Sequence, residues 1–239
     1  MLTASDYRAK AREALKGNWG IAVGTAFAVQ AISIVLVAIA IIILFASGLS
    51  NLNEAYTYGE PTFSTTGILI YLIMIIVALF VSYTLSIGFN YFTLNLVRGN
   101  EFKFDNIFSR FNKIFKIFGL YFMMGLFIWL WSILFLIPGI IACYRYIMAP
   151  YIMAEDPEVG IMEAIGKSKE LMKGYKWKFF CLEISFIGWI LLSFLTAYIG
   201  LLWVVPYMQT SYAAFYLEVS GQSGQGGQKT QYEYDLSDE

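Results

Sequence analysis

Six long apolar segments alternate along the chain with short segments that are rich in lysine and arginine. A transmembrane α-helix requires roughly 20 predominantly apolar residues. The predicted spans cover approximately 19–46, 67–97, 114–137, 140–154, 177–196 and 199–219. The first is too long for a signal peptide and follows a long charged segment, so we interpret it as a retained span. The pattern predicts an all-α, polytopic membrane bundle with six transmembrane helices.

The boundary between the third and fourth segments admits two interpretations. Pro138 and Gly139 form a turn pair at this boundary. A proline can instead kink a continuous transmembrane helix, which would leave five spans. The stretch 114–154 corresponds to about 40 residues, or roughly 60 Å of helix, which is twice the thickness of the hydrocarbon core. This length favours a tight helical hairpin, and we therefore expect two spans here.

The distribution of basic residues supports six spans. The segment 48–66 and the turns near Pro138 and Ala197 contain no lysine or arginine. The basic residues fall into three groups: Arg8, Lys10, Arg12 and Lys16; Arg98, Lys103, Arg110, Lys113 and Lys116; Lys167, Lys169, Lys173, Lys176 and Lys178. With six spans, all three groups lie on one side, which the positive-inside rule makes cytoplasmic. Both termini are then predicted to be cytoplasmic.

Each basic group also has the pattern of a short amphipathic helix at the membrane surface. In the first group, Thr3 and Asp6 form a capping-box pattern and Gly17 takes the C-cap position. The first and third groups align without a gap: Asp6-Lys10-Arg12-Glu13-Lys16-Gly17 matches Glu163-Lys167-Lys169-Glu170-Lys173-Gly174. We therefore predict an internal repeat of three units, 1–100, 101–155 and 156–219. Each unit is an interfacial helix followed by a helical hairpin. The alternative is that any amphipathic helix before a span has this pattern.

The segment 220–239 differs from the rest of the chain. Residues 221–228 are rich in glycine, glutamine and serine, and 232–239 are acidic with two tyrosines. This composition predicts a disordered, acidic cytoplasmic tail. A peptide that docks on a partner is the alternative.

Composition narrows the functional classes. Hydrophobic residues make up 59% of the chain and charged residues 14%, against about 25% charged residues in soluble domains. A net charge of −1 does not indicate a nucleic-acid partner. The chain has no histidine, and Cys143 and Cys181 lie in apolar stretches without metal-ligand spacing. We predict no metal and no cofactor. Hydrolysis requires a nucleophile with a base, or a metal, and we do not expect an enzyme.

Polar side chains within the spans are the candidate functional residues, since such groups are costly in a membrane. Arg145 lies about 15 Å from the inner end of its predicted span and Glu183 about 9 Å, and we expect these two side chains to pair or to contact a ligand. The full candidate set is Arg145, Glu183, Gln30, Asn90, Asn95, Gln209, Tyr144 and Tyr146, with Tyr212 at its border. These residues either hold the helices together or line a polar cavity in the cytoplasmic half of the bundle.

A set of short motifs resembles a known family. The motifs are Ile137-Pro138-Gly139-Ile140-Ile141, Tyr144-Arg145-Tyr146, Ala154-Glu155-Asp156, Glu163-Ala164 and Lys167-Ser168. Together they resemble an uncharacterised family of bacterial integral membrane proteins, catalogued as domain of unknown function nine-seven-five. A distant resemblance is to the membrane domain fused to some glycerophosphodiester phosphodiesterases. The resemblance implies a multi-span bundle in the bacterial cytoplasmic membrane and implies no established activity.

Two functional hypotheses follow. The first is a non-enzymatic protein that binds or translocates a lipid or small amphiphile through the polar cavity. The second is a structural or regulatory membrane protein that acts through partners, for example in envelope stress or peptide resistance. The lipid bilayer is the expected environment. A homo-oligomer or a membrane-protein partner stays open.

Overall fold

The computed structural model describes residues 2–49 and 64–222, and every regular element in these ranges is helical. The α-helices are α1 (Ala4–Leu15), α2 (Trp19–Leu49), α3 (Thr65–Arg98), α4 (Ile114–Leu134), α5 (Leu136–Tyr146), α6 (Ala149–Glu155), α7 (Ile161–Leu171), α8 (Lys176–Ile184), α9 (Ile187–Leu195) and α10 (Leu201–Val219). Two short 3-10 helices, Phe104–Phe108 and Phe111–Lys113, precede α4. The predicted all-α class is confirmed for this part of the chain. The predicted tail lies outside it from residue 223 onward.

Five stretches of the described chain are long and apolar enough to cross a membrane. They are Trp19–Gly48, Thr65–Arg98, Phe104–Ile133, Leu136–Glu155 and Lys176–Leu195. These helices make the protein a multi-pass membrane protein. The sixth predicted span, 199–219, contains α10, but that helix does not belong to this set. Its polar residues, among them Gln209, Thr210 and Glu218, lower its hydropathy below that of the other five.

The chain reverses between α4 and α5 at Phe135, three residues earlier than the predicted turn. Phe135 has an extended backbone, with φ −162° and ψ 149°. Pro138 therefore lies in the first turn of α5, where its missing N–H costs no helical hydrogen bond. A Cβ on Gly139 would lie 3.0 Å from the Cα of Ser132. Residues seven apart in one straight helix are about 10 Å apart, so the two helices fold back on each other.

The core lies at one end of the helices. Buried residues concentrate in the C-terminal part of α3, in α6 and in the C-terminal part of α10, and α1 packs against α10. Tyr7 of α1 meets Phe215 of α10 with ring centroids 5.2 Å apart. We call this the packed end, where α1, the 3-10 helices and α7 lie. We call the opposite end, with the turns at Phe135 and Ala197, the open end.

Large apolar side chains at the open end face outward. Leu136 is 74% exposed and Leu195 is 83% exposed. Contiguous apolar surface of this kind is unusual in a soluble monomer and is expected where helices face lipid. The packed end thus carries the internal packing of the fold, whereas the open end offers most of its surface to the membrane.

The connection between α3 and α4 folds back along α3. Ile107 of the first 3-10 helix is fully buried, and a Cβ on Gly88 would lie 2.6 Å from its carbonyl carbon and its Cα. Gly88 is ten residues before the end of α3, or about 15 Å along the helix. The absence of a side chain at Gly88 allows this close backbone contact.

Candidate functional site

Tyr144 and Glu183 are the two predicted site residues that bond to each other directly. The hydroxyl of Tyr144 on α5 donates a hydrogen bond to Oε2 of Glu183 on α8 at 2.6 Å. The two residues are 39 positions apart in the chain. Both side chains are partly exposed. This contact joins the fourth and fifth predicted spans within the membrane-capable part of the chain.

Arg145 does not pair with Glu183. Among the described residues, no carboxylate lies within ion-pair distance of its guanidinium. Neighbouring side chains on a helix point about 100° apart, so Tyr144 and Arg145 cannot both face α8. The tyrosine takes the position that we predicted for the arginine, and the expected ion pair is not formed.

The other predicted site residues differ in their burial and in their partners. Gln30 is exposed on the surface of α2, whereas Asn90 and Asn95 are buried in α3. Oε1 of Gln209 accepts a hydrogen bond from the hydroxyl of Tyr151 at 2.9 Å, which links α6 to α10. Tyr146 is buried and packs against a ring of α4. Hydrogen bonds between helices thus involve Tyr144 with Glu183 and Gln209 with Tyr151.

The helix that carries Tyr144 ends two residues after this tyrosine. α5 ends at Tyr146 and α6 begins at Ala149, with Pro150 unable to donate a backbone hydrogen bond. Ser168 of α7 is fully buried at this interruption. Its hydroxyl donates to the carbonyl of Arg145 at 2.9 Å and accepts from the backbone N–H of Met148 at 3.2 Å. Ser168 thus satisfies backbone groups that the interruption frees.

Bonds of Glu163 stabilise the first turn of α7. Glu163 accepts hydrogen bonds from the ammonium of Lys167 at 2.8 Å and from the backbone N–H of Gly160 at 3.4 Å. The hydrogen bond from Lys167 and then that from Gly160 lower the pKa of the Glu163 carboxyl. Ala164, on the inner face of α7, is fully buried. These bonds stabilise the first turn of the helix that carries Ser168.

The helix that carries Glu183 is interrupted as well. α8 ends at Ile184 and α9 begins at Ile187. The guanidinium of Arg8 on α1 donates to the carbonyl of Ser185 at 3.3 Å. Both members of the Tyr144–Glu183 contact therefore lie within three residues of a helix interruption. At each interruption a side chain from another helix bonds to the backbone: Ser168 of α7 at the first and Arg8 of α1 at the second.

A cavity of about 320 Å³ opens beside the Tyr144–Glu183 contact. Its walls come from α5, α8, α9 and α10, and they are apolar and aromatic apart from the carboxylate and the tyrosine hydroxyls. Its lining includes Tyr144, Phe180, Glu183, Ile190, Met208 and Tyr212. Glu183 is the single charged residue of this lining. The cavity can accept an apolar group together with one group that bonds to a carboxylate.

A second polar cluster closes the packed end. Arg98 at the end of α3 pairs with Oε1 of Glu155 at the end of α6. Oε2 of Glu155 accepts hydrogen bonds from the hydroxyl of Tyr216 at 2.6 Å and from the amide of Gln222 at 3.2 Å. Arg98 also donates to the side-chain oxygen of Gln222. This cluster ties together the ends of α3, α6 and α10.

No curated protein and no solved structure matches this chain. A family model does match, over residues 1–143 and 133–223, and is described as Protein of unknown function (DUF975). The chain belongs to the DUF975 family. The family resemblance seen in the motifs is thus confirmed, whereas similarity to the membrane domain of glycerophosphodiester phosphodiesterases is not shown. The family description assigns no activity to this DUF975 protein.

The packed-end cluster of this DUF975 protein was not predicted from the sequence. Glu155 was noted within a motif and Arg98 as one of the basic residues. A signal was present, because Arg98 and Glu155 each come directly after the last residue of a predicted span, and their charges are opposite. The second basic group also contacts the chain at and just after the end of α6: Arg110 bonds to Ala154, Lys113 to Glu158 and Lys116 to Pro157. The second basic group therefore bonds to other segments of the same chain, in addition to lying on one side of the bundle.

Truncation of the DUF975 chain near the end of α10 tests the role of Gln222. Ending the chain after Ser220 removes the two hydrogen bonds of the Gln222 side chain, and we expect a loss of about 1 kcal/mol in the free energy of unfolding. Ending it after Gln222 keeps both bonds, and we expect no change. The measurement is the Tm of the two truncated proteins and the full chain in one detergent. Equal Tm values for all three would contradict the role of Gln222.

Proposed function

We propose that this protein crosses a bacterial cytoplasmic membrane six times, with the packed end and both termini in the cytoplasm. The basic groups all lie near the packed end, which supports this orientation. α10 has 19 residues, or about 28 Å of helix, which is enough for a sixth span. Its polar side chains face protein, since Thr210 and Ser211 are fully buried, so its low hydropathy is compatible with a span inside a bundle.

Three helical hairpins, each after an interfacial helix, are the proposed layout. Close contacts between a glycine and a serine support it: Gly67 meets Ser47, Gly139 meets Ser132 and Gly200 meets Ser193. The proposed repeat is supported by matching helix ends. α1 and α7 are each followed by a glycine in the left-handed region, Gly17 with φ 82° and Gly174 with φ 83°. A membrane-capable helix begins two residues after each of these glycines.

Cysteine labelling tests the orientation. Single cysteines at Asn53, Lys103, Lys169 and Gln228, in a background without Cys143 and Cys181, are expected to fall into two classes. Only the cysteine at 53 should react with a membrane-impermeant thiol reagent in intact cells, since the other three positions are proposed to be cytoplasmic. Positions 53 and 228 lie outside the described residues. Labelling at 169 from outside the cell would contradict six spans.

We further propose that the protein binds a lipid or small amphiphile, and is not an enzyme. The observation that carries this proposal is the partly exposed Glu183 carboxylate in an apolar cavity, with the neutral Tyr144 as its hydrogen-bond partner. A carboxylate kept only for structure would gain more from a cationic partner. The interruptions beside Tyr144 and Glu183 add support, because discontinuous helices form binding sites in membrane transporters. The proposal includes transport of the bound lipid or amphiphile across the membrane.

Ligand retention tests the proposed binding. Ile190→Trp places a large ring in the wall of the cavity and is expected to reduce a co-purifying amphiphile at least severalfold, as measured by native mass spectrometry from a neutral detergent. Ile42→Trp, on the lipid-facing surface of α2, is the matched control and should leave the bound amphiphile unchanged. A wild-type protein that carries and accepts no amphiphile would contradict the proposal and would favour a role through protein partners.

A further inference from the structure

We propose that the cavity beside Tyr144 and Glu183 recognises a positively charged ammonium group on an amphiphile. This inference rests on the proposed binding function and adds the chemical class of the ligand. The sequence offered both Arg145 and Glu183 as candidate ligand contacts, and the structure favours the residue of negative charge. Arg145 does not line the cavity, and Glu183 is the charged residue that does.

The carboxylate of Glu183 has bonding capacity left over. An ionised carboxylate offers about four acceptor positions, and the hydroxyl of Tyr144 occupies one of them on Oε2. The other described residues provide no hydrogen bond or ion pair to Oε1. A ligand ammonium group would complete the charge and hydrogen-bond requirements of this oxygen, which is costly to leave unpaired in a membrane.

Aromatic rings line the same cavity as the carboxylate. The rings of Tyr144 and Phe180 are nearly perpendicular, at 85°, with centroids 6.1 Å apart. Tyr212 of α10 lines another wall of the same cavity. Faces of aromatic rings attract cations, and several rings around one site are the usual means of binding an ammonium group, including a quaternary one. A carboxylate together with several rings therefore favours a cation over an anion or a neutral headgroup.

The rest of the ligand has to be apolar. Ile184 and Ile187 form part of the cavity wall and are also 45% and 47% exposed on the outer surface of the protein. An alkyl chain that leaves the cavity would lie along these side chains, on the surface proposed to face lipid. The volume of about 320 Å³ is at the lower end of small-ligand sites, roughly 300–1,000 Å³. It suits a headgroup with the chain outside, and we infer an amine-bearing amphiphile.

The experiment compares three probes with the same chain: hexadecylamine in its protonated ammonium form, hexadecanol and hexadecyl phosphate. Each is titrated into the full-length protein in a neutral maltoside detergent, and bound probe is counted by native mass spectrometry. The wild-type protein is expected to bind the ammonium probe about tenfold more tightly than hexadecanol, an advantage that one ion contact and a desolvated cation–π contact supply. Hexadecyl phosphate should bind most weakly.

Three variants connect the preference to the site. Glu183→Gln keeps the size and a hydrogen-bond acceptor for Tyr144, and it should abolish the preference for ammonium. Phe180→Leu leaves the carboxylate in place and should reduce the preference severalfold; it also covers the case in which Glu183→Gln does not fold. Glu101→Gln, on a glutamate whose side chain is 78% exposed and paired with Lys103, is the control and should bind all probes as the wild type does.

The outcomes separate the two proposals. Equal binding of the three probes by the wild type, or a preference that survives in both Glu183→Gln and Phe180→Leu, would overturn the ammonium inference and leave the amphiphile site in place. Tighter binding of the phosphate probe would overturn the inference in favour of an anionic ligand. Failure of every probe to bind would overturn the proposed function itself.

Discussion

Replacing Gly88 with alanine is expected to destabilise the protein strongly. The added Cβ would lie 2.6 Å from the carbonyl carbon and Cα of Ile107, and neither neighbour is the end of a flexible side chain. The 3-10 helix that carries Ile107 would have to move away from α3. We expect a loss of about 3 kcal/mol in the free energy of unfolding, at the upper end of what overpacking costs. This corresponds to a decrease of roughly 10 °C in Tm for a chain of this size.

Gly166→Ala is the matched control for this substitution. Gly166 lies within α7, and an added Cβ there would have nothing within 4 Å. Because alanine favours a helix more than glycine does, this variant should gain up to about 1 kcal/mol. Thermal unfolding in the same detergent measures both. A Tm for Gly88→Ala equal to that of the wild type would show that the connection between α3 and α4 does not lie against Gly88.

The second large effect is expected at Arg98. Arg98→Ala leaves Glu155 with only the neutral partners Tyr216 and Gln222, at a site where both charged side chains are largely buried. Their exposed fractions are 19% for Arg98 and 27% for Glu155. Breaking a fully buried ion pair costs 3–5 kcal/mol, and partial exposure to solvent reduces that cost, so we expect a loss of about 2 kcal/mol.

A double-mutant cycle checks this pair. The Arg98→Ala/Glu155→Ala protein should lose less stability than the sum of the single variants, with a coupling energy of about 1–2 kcal/mol. Arg145→Ala is the control, because Arg145 forms no ion pair with a described residue, and it should change stability by less than about 0.5 kcal/mol. An Arg145→Ala protein as unstable as Arg98→Ala would show that Arg145 has a structural partner after all.

These two predictions concern contacts that the sequence did not show. The depths of Arg145 and Glu183 along straight spans predicted that these two side chains lie opposite each other. The depth estimates treated each span as one continuous helix, whereas the fourth is interrupted after Tyr146 and the fifth after Ile184. Depth also says nothing about rotation around the helix axis. Tyr144 and Arg145 are adjacent in the chain, and only the packing of α5 against α8 decides which of them reaches Glu183.

Local patterns did predict the elements themselves. The start of α2 at Trp19, the end of α3 at Arg98 and the helical nature of 161–171 agree with the apolar runs and capping signals, because helix ends depend on residues within a few positions of each other. The break between α4 and α5 was predicted from the length of the apolar run. Its position shifted to Phe135, since a proline is favourable in the first turn of a helix as well as in the turn before it.

The sequence by itself determined the class of this protein, five of its six predicted membrane-capable segments and its family. Those properties follow from runs of apolar residues that are matched to the thickness of a bilayer, and from short motifs that are read along the chain. Only the tertiary structure decided that Tyr144 bonds to Glu183, that Arg98 bonds to Glu155, and that Gly88 lies against Ile107. The bonded partners are 39 and 57 residues apart. Whether they come into contact depends on the orientation of each helix about its axis and on how the helices pack, which local sequence patterns do not predict.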